Sequence, residues 1–461
     1  MTKNLDLFFN PKSVAIIGAS RNPQKIGHIV LKNFVEEGFA GKVFPVNPDA
    51  DQILNLKSYP TVKDIHDDVD AAVILTPADV IAKILKDCGE KKIRAVTIIS
   101  SGFKEIGSRG EKIESELKKI IEKYKINVIG PNCLGIFDTT SQVDMLFLPA
   151  YRLGRPQKGT IAFITQSGAF GSVILDWAAQ EGFGISKFIS YGNAIDIDEI
   201  DFLEYLGNDQ ETKVITVYLE GANRARELIE IGKKVSKIKP ILCLKAGGSK
   251  RGAAATQSHT GSLAGSDEIY SAAFKQAGII RVQTIEEMFD YARALATQPL
   301  MKGNRIAIIT DGGGFGVMAT DYAEQEGLIV EEVSEQTKKK MMKCTLPFAT
   351  LHNPIDLTGS ASSAMYRCAL EATMADKNID ALLVILLFQP PNIESDVIAH
   401  LLEVKSKYQK PMLVCSAGGN YTQLHRDILE RSGIPTYPTP DRAIKSLAIL
   451  YKYTQIKAKQ H

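Results

Sequence analysis

The chain has 461 residues, of which 44% are hydrophobic and 23% charged, and its formal net charge is +2. This length exceeds what one hydrophobic core supports, and it predicts about three domains. The small net charge gives no reason to expect nucleic acid or an anionic membrane as the main partner, so any charge that binds a substrate must be local.

Cysteine usage and the N-terminal segment bear on location. The cysteines lie far apart without a CxxC pair, which argues against a zinc site and against a disulfide framework. The N-terminal segment lacks the long apolar run of a signal peptide, and no segment has the apolar length of a membrane span. We therefore expect a cytoplasmic protein. The six cysteines are Cys88, Cys133, Cys243, Cys344, Cys368 and Cys415.

The first 153 residues alternate short aliphatic runs with longer amphipathic stretches, a pattern typical of a parallel sheet flanked by helices. The segment LPAYRLGRPQKGT is rich in proline and glycine and has the composition of a linker. We place a boundary there and predict domains at residues 1–153, 154–300 and 301–461. Strands of the first domain are predicted at residues 14–17, 42–46, 71–75, 95–99 and 127–129.

An internal repeat opens the second and third domains. When Ile161 is placed over Ile306, the two 22-residue segments are identical at 12 positions. Both segments predict a strand, a glycine-containing turn and a helix, so one flavodoxin-like unit has been used twice. Similarity between any two strand-helix units explains the apolar pattern, but not the shared Phe-Gly and Gln-Glu-Gly sequences.

The first strand-helix turn, VAIIGASRNPQKIG, favours a phosphate because free amides and a helix N-terminus meet there. A dehydrogenase of this fold would place an acidic residue at the end of the second strand. Here that strand ends in Val46, Asn47 and Pro48, which argues against NAD as the ligand. Two alternatives remain open: another ligand that contains a nucleotide, or a Rossmann-like unit that binds no ligand. Three further turns, at residues 76–78, 100–103 and 130–135, also follow strands of this domain and strengthen the ligand interpretation.

Two equivalent turns of the repeat are candidate anion sites. The sequence Thr165-Gln166-Ser167-Gly168 leads into a helix and offers amides, a hydroxyl and the positive end of the helix dipole. Its repeat partner, residues 311–314, offers bare backbone at Gly312, Gly313 and Gly314. The alternative is that these glycines only permit tight turns.

Residues 247–265 read GGSKRGAAATQSHTGSLAG and contain almost nothing that could fill a core. We therefore expect a mobile surface loop that carries His259. Glu220 ends an apolar strand, where its carboxylate could accept a hydrogen bond from an imidazole and leave the other nitrogen as a nucleophile. Taken alone, each residue is more often a solvated side chain without a function.

These segments together resemble the α subunit of ADP-forming acetyl-CoA synthetase, an NDP-forming acyl-CoA synthetase related to succinyl-CoA synthetase. The resemblance covers essentially the whole chain, and its most specific part is SHTGSLAGSDEIYSAAFKQAGIIRV. The other segments that carry it are GASRNPQKIG, ISSGF, GPNCLG, TQSGAFG, SYGN, LEG, DGGGFG and NPIDLTG.

The resemblance implies an α/β chain with a Rossmann-like CoA-binding domain followed by two flavodoxin-like domains. It implies conversion of acyl-CoA, ADP and phosphate to acid, CoA and ATP through an acyl phosphate and a phosphohistidine at His259, which Glu220 orients. Phosphate would be held by Gln166, Ser167 and Gly168, faced by Gly312–Gly314 and residues 353–359. The residues implied for the CoA site are Gly18, Ser20, Arg21, Lys25, Lys42, Asn47, Pro48, Pro77, Ser100, Ser101 and Asn132.

The sequence contains no segment like an ATP-grasp domain and no GxxxxGK[ST] loop. ADP and Mg²⁺ are therefore expected on a separate β subunit, in a heterotetramer of two α and two β chains, and no metal site is expected on this chain. The same absence leaves open a different class of function, a CoA-sensing module without catalysis.

Overall fold

The structure is a computed structural model, and it describes residues 3–254 and 267–459. The chain forms two compact units that divide after Gln283, and each is described by itself. No helix within the described residues combines the length and apolar character needed to cross a membrane.

The first sheet of the first unit has five strands in the order β2-β1-β5-β6-β7, all parallel. Its helices begin and end at Asp6–Phe9, Ile26–Glu36, Ala78–Glu90 and Ser108–Tyr124. Its strands, with the small hairpin β3 and β4, are β1 (Ser13–Ile17), β2 (Lys42–Val46), β3 (Gln52–Ile53), β4 (Leu56–Lys57), β5 (Ala71–Ile74), β6 (Ala95–Ile98) and β7 (Asn127–Ile129).

The second sheet of this unit has seven strands in the order β14-β13-β12-β10-β11-β8-β9. Strands β8 and β9 are antiparallel to their neighbours, and the other pairs are parallel. Helices run over Gly168–Gln180, Glu199–Asn208, Ala225–Ser236 and Asp267–Ala277. The strands are β8 (Gly135–Asp138), β9 (Val143–Asp144), β10 (Lys158–Thr165), β11 (Ile185–Ser190), β12 (Val214–Leu219), β13 (Ile241–Lys245) and β14 (Ile280–Val282).

The second unit contains one sheet, in the order β16-β15-β18-β19-β20, with β17 beside β15. Its strands are β15 (Arg305–Thr310), β16 (Ile329–Val330), β17 (Ile355–Asp356), β18 (Ala381–Ile385), β19 (Met412–Cys415) and β20 (Thr436–Tyr437). Its helices are Ile285–Thr297, Gly313–Gln325, Glu335–Met341, Ser363–Met374, Asp396–Lys407, Asn420–Arg431 and Pro440–Lys459.

Continuous apolar runs form the central strands because helices cover both faces of a parallel sheet. Every residue of β1 and of β18 is buried. This layering confirms the predicted α/β class, and the predicted strands of the first sheet agree with the observed ones to within one residue at each end.

The internal repeat is confirmed in three dimensions. The helices Gly168–Gln180 and Gly313–Gln325 both have 13 residues and begin and end at aligned positions. Gly182 and Gly327, which follow them, both have a φ of 73°, a left-handed conformation that favours glycine.

One disulfide corrects the cysteine interpretation. Cys344 and Cys368 are bonded, with their Cα atoms 6.5 Å apart, although their spacing in the sequence suggested no pairing. Cys344 follows the helix Glu335–Met341, and Cys368 lies in the helix Ser363–Met374 that packs against it. Tertiary packing therefore brings together two residues that no local motif links, while Cys88, Cys133, Cys243 and Cys415 are free and buried.

Candidate active site

A cavity of about 820 Å³ lies at the carboxyl ends of strands from both sheets of the first unit. Ligands of open parallel sheets bind at this edge. The cavity joins two predicted sites, since its wall includes part of the residues implied for CoA and the three residues implied for phosphate in the first anion turn. The sequence-predicted residues in the wall are Pro77, Ser100, Ser101, Asn132, Gln166, Ser167 and Gly168.

The first strand-helix turn is packed too tightly to hold side chains at its glycines. Gly18 has a φ of 91°, and its N–H donates to the Val46 carbonyl over 3.0 Å. A Cβ at Gly27 would lie 2.0 Å from the carbonyl oxygen of Gly18. These contacts place the start of the helix Ile26–Glu36 directly against the end of β1, and Ile26 enters the cavity wall.

The other residues predicted around this turn lie at the same edge of the sheet, outside the lining of the cavity. The Asn47 side chain donates to the Ala19 carbonyl over 2.7 Å, which ties the end of β2 to the turn. Arg21 donates to the Gln52 carbonyl over 3.1 Å, and Lys25 is the residue that precedes the helix. The structure thus brings this group together, with Ser20 buried and Pro48 exposed at its margins.

Lys42 does not join this group. It begins β2 and pairs with Ser13 at the start of β1, so it lies at the amino edge of the parallel sheet. Its ammonium group is exposed and forms an ion pair with Asp67, which raises the pKa of Lys42. The position of Lys42 corrects its expected place beside a ligand, because the carboxyl edge is at the other end of the strand.

The turns after β5, β6 and β7 are joined by hydrogen bonds. The Ser100 hydroxyl donates to the Thr76 carbonyl over 2.5 Å, and the Asn132 N–H donates to the Ser100 carbonyl over 2.9 Å. Lys104, which sequence reasoning missed, also lines the cavity, and its ammonium group donates to the Asn193 carbonyl over 2.6 Å. Burial lowers the pKa of Lys104. Lys104 begins the short 3-10 helix Lys104–Ile106, and a single lysine among other charged residues carries no sequence signal that distinguishes it from its neighbours.

The first anion turn is built around one hydroxyl group. Thr165 Oγ1 accepts from the Ser167 N–H over 3.1 Å and donates to the Ser167 carbonyl over 2.9 Å. The Ser167 hydroxyl accepts from the Phe170 N–H and caps the helix Gly168–Gln180. The positive end of this helix therefore opens into the cavity, where amides favour an anion.

The Gln166 side chain is used by the protein itself. Its Oε1 accepts from the N–H groups of Glu220 and Gly221 over 2.5 and 3.0 Å, and its Nε2 donates to the Gly221 carbonyl over 2.8 Å. Gln166 therefore holds the segment after β12 against the anion turn, a role that differs from the predicted contact with phosphate. Its backbone remains part of the turn.

Glu220 is buried beside the Gln166 side chain, with 5% of its surface exposed. The Tyr218 hydroxyl bonds its carboxylate, and burial followed by the charge of Glu220 raises the pKa of Tyr218 to about 12. Lys245 donates to the Glu220 carbonyl over 2.8 Å. His259, the predicted phosphoryl acceptor, lies outside the described residues.

The second anion turn repeats the backbone of the first and changes its charge. Thr310 Oγ1 bridges Gly312 as Thr165 bridges Ser167. Asp311 stands in the position of Gln166, and its carboxylate accepts from the Leu387 N–H over 3.1 Å, just after β18. Burial raises the pKa of Asp311 to about 6.

A second carboxylate lies close to the same turn. A Cβ at Gly313 would approach Asp356 Oδ2 to 2.7 Å, whereas one at Gly314 would meet nothing within 4 Å. Asn353 is tied to the backbone, since it donates to the carbonyls of Ile306 and Glu331 over 2.8 Å each. An anion at this turn would thus approach two carboxyl groups.

Glu199 was missed by the sequence interpretation. It begins the helix Glu199–Asn208 and lines the cavity, and the Tyr191 hydroxyl donates to its Oε2 over 3.0 Å. Burial, with a contribution from the neighbouring Asp198, raises the pKa of Glu199 to about 7. An acid in the first turn of a helix is usually read as a favourable helix-end charge, so Glu199 did not stand out among the acidic residues of the sequence. No group of His, Cys, Asp and Glu side chains among the described residues is arranged to hold a metal ion.

Family models match along most of the chain. A CoA binding domain matches residues 12–139, a succinyl-CoA ligase like flavodoxin domain matches residues 158–295, and a ligase-CoA domain matches residues 306–460. The three matches agree with the predicted α/β fold class.

Relatives of known activity match the chain throughout. The α subunit of acetate–CoA ligase [ADP-forming] I from Pyrococcus furiosus is 43% identical over 99% of both chains. A single-chain acetate–CoA ligase [ADP-forming] I from Archaeoglobus fulgidus is 39% identical over 99% of this chain and 64% of its own length. A dinucleotide-forming acetyl-coenzyme A synthetase 1 of Candidatus Korarchaeum cryptofilum, solved with phosphate and ADP, is 37% identical with a TM-score of 0.94, over 99% of this chain and 98% of that one. The chain therefore belongs to the family of ADP-forming acetate–CoA ligases, acid–thiol ligases, and corresponds to their α subunit.

Proposed function

We propose that this chain is the catalytic α subunit of an ADP-forming acyl-CoA synthetase, with acetyl-CoA as the representative substrate. The reaction converts acyl-CoA, ADP and phosphate to acid, CoA and ATP. The observation that carries the proposal is the cavity, because one wall is built from the turns implied for CoA and another from a helix N-terminus suited to phosphate.

CoA is proposed to bind along the carboxyl edge of the first sheet. Its phosphates would lie near the first turn, where Gly18 and Gly27 allow the backbone to approach closely and Arg21 and Lys25 supply positive charge. The remaining contacts are proposed from the turns at this edge. Pro77, Ser100, Ser101 and Asn132 lie in the cavity wall, and Ser20, Asn47 and Pro48 are proposed from the same edge of the sheet. Lys42 is left out because it lies at the opposite edge.

Phosphate is proposed to bind at Ser167 and Gly168. A phosphate oxygen attacks the thioester carbonyl, the carbon–sulfur bond breaks, and CoA leaves with a proton as the free thiol. A ring nitrogen of His259 then attacks phosphorus, and the bond between phosphorus and the acyl oxygen breaks to release the carboxylate. Such transfers depend mainly on positioning and charge stabilisation, which Glu220 would supply to the imidazole.

The nucleotide step is proposed to occur on another polypeptide. Phosphohistidine would transfer its phosphoryl group to ADP bound with Mg²⁺ on an ATP-grasp β subunit, in a cytoplasmic α2β2 assembly. Single-chain relatives support a partner of this kind, since this chain spans 64% of the Archaeoglobus fulgidus relative and 63% of one from Methanocaldococcus jannaschii. The remaining third of those proteins would correspond to the β subunit.

The test is phosphorylation of His259. We expect acetyl-CoA with radiolabelled phosphate to label the chain, alone or with its partner, and His259→Ala to lose both label and activity. His352→Ala is the matched control, because this exposed histidine lies on the second unit, where its ring nitrogen pairs with Glu332. Undiminished labelling in His259→Ala would refute the proposal, and tight CoA binding without any phosphohistidine would favour a CoA-sensing module.

A further inference from the structure

We propose that Glu199 must be protonated for the cavity to hold phosphate, so that this neutral carboxyl group accompanies the anion and its ionisation opposes binding. The inference rests on the proposed function, since phosphate is taken as the occupant of the first anion turn.

Glu199 and the anion turn are parts of one wall. Both belong to the lining of the same cavity. They are linked by Tyr191, whose N–H donates to the Thr165 carbonyl over 3.2 Å and whose hydroxyl donates to Glu199 Oε2 over 3.0 Å. Because Thr165 also bridges the turn at Ser167, a single residue separates the turn from the carboxyl group.

The surroundings of Glu199 suit a neutral acid better than an anion. Only 3% of its surface is exposed, and its Oε1 is buried and makes no hydrogen bond with any of the described residues. A buried carboxylate needs several donors or a paired cation. With one hydroxyl donor, the charged form is weakly compensated, in agreement with its pKa of about 7.

Among the described residues, no cation forms an ion pair with Glu199. Arg224 contributes positive charge to its surroundings, but it pairs with Asp198, Asp201 and Glu227. Five titratable or charged groups on the surrounding elements interact electrostatically with Glu199. They are Tyr191 after β11, Asp198 before the helix of Glu199, Arg224 before the helix Ala225–Ser236, Cys243 on β13 and Tyr270 on the helix Asp267–Ala277. Burial raises the pKa of the Cys243 thiol to about 12 and raises that of Tyr270, so both remain neutral near pH 7.

A phosphate and an ionised Glu199 would therefore share a partly buried cavity as like charges, which disfavours one of the two ionisations. Phosphate binding should raise the pKa of Glu199 and take up a proton. If only the protonated form binds, the apparent dissociation constant equals the intrinsic one divided by the protonated fraction, so affinity falls about tenfold from pH 6 to pH 8.

The experiment measures inorganic phosphate binding to the full chain by isothermal titration calorimetry between pH 6 and pH 8, in buffers of different ionisation enthalpy. Glu199→Gln keeps a side-chain oxygen for Tyr191 and removes the titration. We expect equal affinities at pH 6, about tenfold tighter binding by Glu199→Gln at pH 8, and extra proton uptake only in the wild type. The ionisation of phosphate itself is common to both proteins and cancels in their ratio.

Two further variants keep the result interpretable. Glu204→Gln removes another carboxylate from the same helix and should behave as the wild type, whereas Glu199→Asp should retain the dependence on pH. Equal pH dependence in the wild type and Glu199→Gln, or its loss in Glu199→Asp, would overturn the inference while leaving the proposed function intact. Absence of both phosphate and CoA binding in the wild type would overturn the proposed function and this inference together.

Discussion

Replacement of Gln166 by alanine should loosen the segment that carries Glu220. The change removes three hydrogen bonds, of 2.5, 3.0 and 2.8 Å, to the backbone of Glu220 and Gly221. At a net value of about 1 kcal/mol each, the local cost is about 3 kcal/mol. Since 1.4 kcal/mol is tenfold, hydrogen exchange at these two amides should accelerate by up to about a hundredfold.

Two variants sharpen this measurement. Gln166→Glu can still accept from both N–H groups but cannot donate to the Gly221 carbonyl, so its exchange should fall between that of the wild type and Gln166→Ala. Gln180→Ala, at an exposed helix end of the same unit, should leave the exchange of Glu220 and Gly221 unchanged. Exchange at the wild-type rate in Gln166→Ala would show that the hydrogen bonds of Gln166 do not hold the segment at Glu220 and Gly221, and would refute this prediction.

Three further changes test the fold around the sites. Reduction of the disulfide, or Cys344→Ser with Cys368→Ser, should lower the free energy of unfolding of the second unit, measured in urea. The chain-entropy model gives a loss of about 3.5 kcal/mol for a separation of 24 residues, and an unchanged transition would contradict this expectation. Gly27→Ala places a Cβ 2.0 Å from a backbone oxygen and should lower the free energy of unfolding by at least about 1–3 kcal/mol. Gly314→Ala, with open space around it, should be neutral or slightly stabilising in the same urea assay. Asp311→Asn should raise the free energy of unfolding by up to about 3 kcal/mol above pH 6 and leave it unchanged below pH 4. The raised pKa of Asp311 lowers stability only at a pH where this carboxyl group is ionised in the unfolded chain. A stability difference that does not change with pH would show that the ionisation of Asp311 is not its cause.

Strand positions could be predicted because each central strand is a short apolar run between turn residues. The strands β2 and β7 were predicted with their observed ends. The antiparallel addition of β8 and β9 to the second sheet could not be predicted, since those short segments carry no sign of which sheet edge they join.

The candidate site was predictable by location and less so by role. Turns after parallel strands meet at one edge whatever their side chains, so Pro77, Ser100 and Asn132 were placed correctly in the cavity wall. Lys42 was expected beside the ligand, but it begins its predicted strand. A residue at the start of a parallel strand lies at the edge opposite the carboxyl ends, so the predicted strand itself already indicated this position. The domain limits and the ligand contacts of individual residues stay predictions.

The roles of Gln166 and Glu199 depended on tertiary register. An amide side chain suits a ligand and a backbone equally well. Only the pairing of Thr165 with Tyr218 across β10 and β12 brings Gln166 beside the segment at Glu220. For Glu199, burial against Tyr191 separates it from an ordinary helix-end acid.

The repeat gives the two anion turns the same backbone and different requirements for a bound anion. In each, the residue after the threonine bonds the chain after the neighbouring strand, with a neutral amide at Gln166 and a carboxyl group at Asp311. A phosphate at the first turn would meet no charge from that residue, whereas at the second turn it would meet one whenever Asp311 is ionised, with Asp356 close by. Binding at Gly312–Gly314 therefore favours the neutral form of Asp311, and its pKa of about 6 makes that form a minor one at neutral pH. We therefore expect the first turn to be the stronger anion site of the two.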